Sequence, residues 1–113
     1  MKIVKRGDIY FCRWNLAATG SEEQKDRPVV IAQNDTGNAH APTAIVVPMT
    51  HAPRKRQYPT QFDVAIPTGK ISRVLCEQTT TVDKSRLLRK MGQLTKLEMQ
   101  QLDRCLKVSL GLQ

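Results

Sequence analysis

Short apolar runs closed off by turn signals fill most of this chain, and that punctuation is what most limits its fold. Ile9-Tyr10-Phe11-Cys12-Arg13-Trp14 follows a Gly7-Asp8 turn and is rich in aromatics, so it reads as a strand. Pro28-Val29-Val30-Ile31-Ala32 reads as a buried strand with proline at its tolerated first position. Asn34-Asp35-Thr36-Gly37-Asn38 is a dense turn signal before the next strand, Thr43–Val47. Pro48 cannot donate to a ladder, so Met49 and Thr50 are expected to leave the sheet or lie on an edge. Phe62, Val64 and Ile66 alternate with Gln61, Asp63 and Ala65, giving a strand with one apolar face. Residues 73–81 read as one further strand. Residues 15–26 and 51–60 read as polar loops, the second of them basic.

The period then changes. Residues 84–89 can form a short helix ending near Gly92. Thr95-Lys96-Leu97-Glu98 has the form of a capping box, and Leu102, Cys105, Leu106 and Leu110 recur behind it at helical spacing up to a terminating Gly111. The expected fold is mainly β: a small curled sheet or barrel with short helices and a C-terminal helix, in one domain spanning residues 1–113.

Composition narrows the function. The chain has 113 residues and a formal net charge of +8. Residues 1–60 and 61–113 each carry nine basic and five acidic side chains, so the excess belongs to the folded body rather than to a tail. Arg54-Lys55-Arg56 and the series Lys84, Arg86, Arg89, Lys90 and Lys96 lie in acid-free spans. Clustered cations on a basic domain point to a polyanion, since phosphates reward them through counterion release. No apolar run approaches the ~18 residues of a membrane span, so no membrane is expected. The N-terminus is too short and too charged for a signal peptide. Cys12, Cys76 and Cys105 form neither a disulfide framework nor a zinc pattern and read as reduced thiols of a cytoplasmic protein. His40 and His51 have no partner at ligand spacing, so no metal and no cofactor are expected. Arg27, Thr50, Glu77 and Gln78 stand where apolar strands meet polar segments. They would supply a guanidinium for a phosphate, a hydroxyl donor and an amide able to read bases, although spacing alone does not bring them together.

The ordered segments resemble the MazF/PemK family of ribonuclease toxins. Lys5–Tyr10 matches the opening strand. Gly20-Ser21-Glu22 with Gln24 and Arg27-Pro28-Val29-Val30 matches the family's GSEQ…RPVV segment. Asn34–Asn38, Pro42–Val46 and Pro48-Met49-Thr50 match NDxGN…PTxIVxPxT, and Pro59-Thr60 resembles its PTH turn. Glu77-Gln78, Thr81–Lys84 and Arg86-Leu87 match EQxRTxDKxRL, and Ser109–Leu112 matches the closing SLGL. The departures are an extra Glu23 inside GSEQ, Thr79 in place of an apolar residue, Thr80 in place of arginine, and His51 where serine is common.

The resemblance implies an SH3-like β-barrel shared with CcdB toxins, acting as a homodimer. It implies metal-independent cleavage of single-stranded RNA at short sequence motifs, which would inhibit translation and growth. Arg27 and Thr50 would be the catalytic pair, with Glu77 as an acid or base. Glu22 and Gln78 would contact RNA. His51 flanks Thr50, and Arg54, Lys55 and Arg56 supply a basic stretch for the same strand. A cognate antitoxin would be an acidic segment that imitates RNA and folds on contact. Two other readings are a gyrase-trapping toxin of the same fold and a plain nucleic-acid-binding module. The second is disfavoured by only five aromatic residues, few of which are left for base stacking.

Overall fold

The computed structural model describes residues 3–14, 26–51 and 58–113. Among these residues seven strands form: β1 (Asp8–Cys12), β2 (Arg27–Ile31), β3 (Thr43–His51), β4 (Gln61–Ala65), β5 (Ile71–Leu75), β6 (Thr80–Asp83) and β7 (Leu87–Gln93). Two helices, α1 (Asp35–His40) and α2 (Lys96–Leu110), complete the set. The strands run β4-β5-β3-β2-β1-β7, with β6 also paired to β3, and every pairing is antiparallel. The mainly β architecture with a C-terminal helix is the one expected. The sheet path is open, ending at β4 and β7.

Both faces of the sheet centre are buried. Val30, Val47, Met49, Phe62, Val64, Ile66 and Val74 pack with Leu102 and Cys105 of α2 in one core. Val29, Ile31, Ala44, Val46, Val82 and Leu87 pack with Val4, Tyr10 and Cys12 in a second. This explains why β2 and the middle of β3 are apolar runs rather than alternating strands: neighbouring residues enter different cores. β4 does alternate, with Phe62 and Val64 buried and Asp63 and Ala65 exposed.

Four local expectations are corrected. The Asn34–Asn38 signal opens a helix: Asn34 caps α1, its side chain accepting the Gly37 N–H at 2.8 Å. β3 continues through Pro48. That residue lies between Val46, the last partner of β6, and Met49, the first partner of β5, so the missing amide falls where the neighbour changes. Residues 73–81 form two strands, not one, because a 3₁₀ turn at Cys76–Gln78 interrupts them. Residues 84–89 form a 3₁₀ turn and then the start of β7, because Leu87, Arg89 and Lys90 pair with β1. Tertiary pairing overrides the local helix preference of that segment.

The C-terminal helix is as expected at both ends. Thr95 and Glu98 make the full capping box, and Gly111 ends the helix in the left-handed region at φ 70°. Leu102 and Cys105 are buried and anchor the helix, while Leu97 in its first turn is exposed. Gly7 fixes where α2 passes the sheet: its φ is +95°, and a Cβ there would lie 2.6 Å from Met99 Sδ.

Candidate active site and nucleic-acid interface

Arg27 opens β2 and Thr50 lies near the end of β3. The β2–β3 ladder pairs Val29 with Pro48, so the residues two further on from each, Arg27 and Thr50, come level with one another. With Asp26, Pro28, Met49 and His51 they line one open cleft of about 220 Å³. Arg27 is half-buried, and its guanidinium carbon lies 5.6 Å from the centre of the Trp14 ring. Asp26 accepts the Trp14 backbone N–H at 3.3 Å. Met49 beneath is fully buried and holds the strand, while Thr50 is half-buried and His51 exposed. The cleft therefore offers a planar cation and a hydroxyl on rigid strands, a pairing suited to a phosphodiester.

Arg73, which the sequence reading passed over, is the direct cross-strand neighbour of Thr50 on β5. It is buried and held by Asp63 on β4, with Nε to Oδ1 at 2.8 Å and a second nitrogen to Oδ2 at 3.3 Å. This pair stiffens the sheet on one side of Thr50. Its signal was available only through the β3–β5 register, which the sequence does not display.

Glu77 and Gln78 lie on the 3₁₀ turn after β5, both exposed, and neither lines the Arg27–Thr50 cleft. The Glu77 carboxylate accepts hydrogen bonds from Thr60 Oγ1 at 2.9 Å and Gln61 Nε2 at 2.7 Å. Thus Arg27, Thr50 and His51 are brought together, and Glu77 and Gln78 stand apart from them. Glu22, Arg54, Lys55 and Arg56 lie outside the described residues.

The second basic series divides. Lys84 is buried, its ammonium donating to the Asn38 carbonyl, so this cation belongs to the interior. Arg86 donates to the Arg13 carbonyl at 3.3 Å, and Lys90 lies 3.3 Å from Asp8. Arg89 lies over the Phe11 ring at 4.6 Å. Burial pushes the Cys12 thiol up to about 11 and the Cys76 thiol up to about 12, and it raises Cys105 as well. Buried, protonated thiols are poor nucleophiles, so the three act as small core side chains. Among the described residues no three His, Cys, Asp or Glu side chains gather to hold a metal ion, and no helix is long and apolar enough to cross a membrane.

Comparison with known proteins bears on this geometry. Endoribonuclease MazF of Staphylococcus epidermidis is 39% identical over an alignment of 113 residues, covering 97% of this chain and 93% of that protein. An endoribonuclease from a mycobacterial species superposes with a TM-score of 0.80 at 24% identity, covering 99% of this chain and 95% of the other. MazF from Deinococcus radiodurans gives 0.79 at 18% identity, covering 99% and 100%. A mycobacterial endoribonuclease in complex with its cognate antitoxin gives 0.78 at 23% identity, covering 97% of each chain. These three structures share the fold. A model of the PemK-like, MazF-like toxins of type II toxin–antitoxin systems matches residues 5–110, and with the staphylococcal relative it shows that the chain belongs to that family.

Proposed function

We propose that the chain is the endoribonuclease toxin of a toxin–antitoxin pair and cleaves single-stranded RNA at short sequence motifs, inhibiting translation and growth. The observation that carries this reading is the meeting of Arg27 and Thr50 in one cleft, within a chain matched to the family over residues 5–110. In the reaction the 2′-OH attacks the adjacent phosphorus, the P–O5′ bond breaks, and a 2′,3′-cyclic phosphate and a 5′-OH are left. The pentacoordinate state gathers negative charge on its equatorial oxygens. A fixed guanidinium and a hydroxyl bind that state better than the ground state. Arg27 supplies the charge, and Thr50 donates to a phosphoryl oxygen. Arg27 is unsuited to act as the base, because a guanidinium stays protonated and has no acceptor lone pair to offer. A solvent molecule or Glu77 takes the 2′-OH proton. Solvent is the better supported, since the Glu77 carboxylate is already engaged by Thr60 and Gln61 outside the cleft.

The charge that a metal would otherwise supply comes from Arg27, so the reaction runs without a metal or other cofactor. His51 beside the cleft and Gln78, with Glu22, Arg54, Lys55 and Arg56, contact the RNA. Residues 1–113 act as one domain in a cytoplasmic homodimer. Its partner is a cognate antitoxin, a reading supported by the mycobacterial relative in complex with its own, and the net charge of +8 favours an acidic one.

The test is to incubate the purified chain with a long mixed RNA in EDTA and map the new 5′ ends. Cuts at a recurring motif, with 5′-OH termini, are expected. Loss of all cleavage in EDTA with recovery on adding magnesium or zinc would overturn the mechanism. In sedimentation the chain is expected at twice 12.8 kDa.

A further inference from the structure

Beside the Arg27–Thr50 cleft lies a second pocket of about 350 Å³, which shares Asp26, Pro28 and His51 with it. Its apolar walls include Phe11, Ile66 and Met91, and its polar groups include Thr68, Lys70 and Ser72. The pleat builds it: Phe11 is paired with Pro28 on one side and Arg89 on the other, so the three form one cross-strand row. Ser72 of β5 is the direct partner of His51 and is buried, while Lys70 stands exposed just before that strand. The Arg89 guanidinium against the Phe11 ring holds the aromatic wall in place.

We infer that this pocket receives one base of the RNA next to the scissile phosphate and so sets part of the cleavage motif; the inference rests on the function proposed above. Three observations favour a base over other occupants. The volume is at the low end of the ~300–1,000 Å³ typical of ligand pockets, suiting one nucleotide rather than several. The walls pair an aromatic face with thioether and aliphatic groups, which accept the flat face of any base, while the exposed Thr68 hydroxyl and the deeper, buried Ser72 hydroxyl can read its edge. The Asp26 carboxylate lies between the two pockets and takes the Trp14 backbone N–H on Oδ1, and its other oxygen can accept from an amino or imino N–H of a base. Lys70 then meets the phosphate that follows. The pocket opens beside the cleft that holds Arg27 and Thr50, so a strand lying across the cleft places a neighbouring base there.

Two measurements test this together. In the first, methyl-¹³C methionine spectra are recorded while each of the four nucleoside 3′-monophosphates is added to millimolar concentration, with Met91→Leu identifying the Met91 signal. A saturating upfield shift of the Met91 methyl is expected, stronger for one base than for the rest. In the second, cut sites in a randomised RNA are sequenced for the native chain and for Thr68→Val/Ser72→Ala. The double variant is expected to lose on the order of 10-fold of its preference at one fixed position beside the cut, and to leave the other positions unaltered.

If the native chain cuts RNA but Met91 does not move and the variant keeps the same motif, the base pocket is wrong and the ribonuclease reading stands. If no RNA is cut yet Met91 shifts with one base, the pocket stands and the ribonuclease reading falls. If neither occurs, both fall. A Met91 shift equal for inorganic phosphate and for all four nucleotides would also overturn the base pocket, leaving only a phosphate site.

Discussion

The two ends of β3 treat polar side chains in opposite ways. At its first residues the strand meets a closed polar cluster. Gln33 donates to the Thr43 carbonyl at 3.0 Å and to Asn38 Oδ1 at 3.2 Å, and Asn38 donates to the Gln33 carbonyl at 2.9 Å and to Asp35 at 3.0 Å. Lys84 closes the cluster by donating to the Asn38 carbonyl. Gln33, Asn38 and Lys84 are all buried. At its last residues the strand presents Thr50 and His51 to a cleft shared with Arg27. A buried cation that donates to a backbone carbonyl inside a closed cluster holds the fold, whereas a half-buried cation lining an open cleft can be directed at a ligand. Lys84 and Arg27 are both basic residues in matched family motifs, and only their surroundings separate structural charge from chemical charge.

The strongest way to break this comparison is to remove the cation of the cleft. Arg27→Ala is expected to slow single-turnover cleavage at saturating enzyme by on the order of 10²-fold or more, as loss of a transition-state donor does. Arg27→Lys is expected not to restore the full rate, because an ammonium lacks the planar fork. Thr50→Ala should be similarly damaging, and Thr50→Ser should keep much of the rate. Native cleavage by Arg27→Ala under those conditions would make Arg27 a structural cation like Lys84.

The opposite end is sharpened by stability. Asn38→Ala removes hydrogen-bond partners from the buried Gln33 side chain and carbonyl, at a cost of about 1–3 kcal/mol for a group left unsatisfied. Urea unfolding should show a lower midpoint with an unchanged slope. The folded fraction should cut RNA at the native rate. A normal midpoint with impaired cleavage would put this cluster in the active machinery.

Glu77 tests a third kind of placement. Its carboxylate is satisfied by Thr60 and Gln61, outside the cleft. Glu77→Gln is therefore expected to slow the chemical step by less than ~10-fold, well short of the 10²–10⁴ typical of a lost general base. A loss within that range in single-turnover cleavage would make Glu77 the proton acceptor.

Alternation and turn chemistry carried the sequence reading a long way. Phe62, Val64 and Ile66 showed their common face by alternation alone, and the capping box at Thr95 and Glu98 and the stop at Gly111 rest on contacts within a few residues, so local pattern displayed them. The misread segments depend on distant partners. Residues 87–93 become a strand because β1 lies beside them, and Pro48 is tolerated because β3 changes neighbours there. In the candidate site, Arg27 and Thr50 were legible as positions where strands meet polar segments, but their meeting depends on the β2–β3 register. Arg73, Phe11, Ser72 and Met91 carried no local mark at all, since each acquires its place from a strand distant in sequence.

The smallest expected effect separates the two ends of β3 by acid. Asp35, at the start of α1, has its carboxyl held below the usual range, mainly by the Arg6 backbone N–H at 2.8 Å and then by Asn38. Asp83 is lowered too, chiefly by the Ser85 backbone N–H at 2.9 Å. Both flank the closed cluster. A carboxyl with a depressed folded pKa contributes stability that is fully present above its unfolded value of about 3.9 and is lost as pH falls through the lower folded value. Thermal midpoints should therefore lose this contribution only below about pH 4, and Asp35→Asn should flatten part of that decline. The amide signals of Arg6 and Ser85 should titrate in the same acid range, each reporting the carboxylate it donates to, while the Thr50 amide stays still until global unfolding. Titration of the Arg6 or Ser85 amide at or above the ordinary aspartate value would show that these carboxylates gain nothing from their hydrogen bonds, and that the closed end of β3 is no more tightly held than the open one.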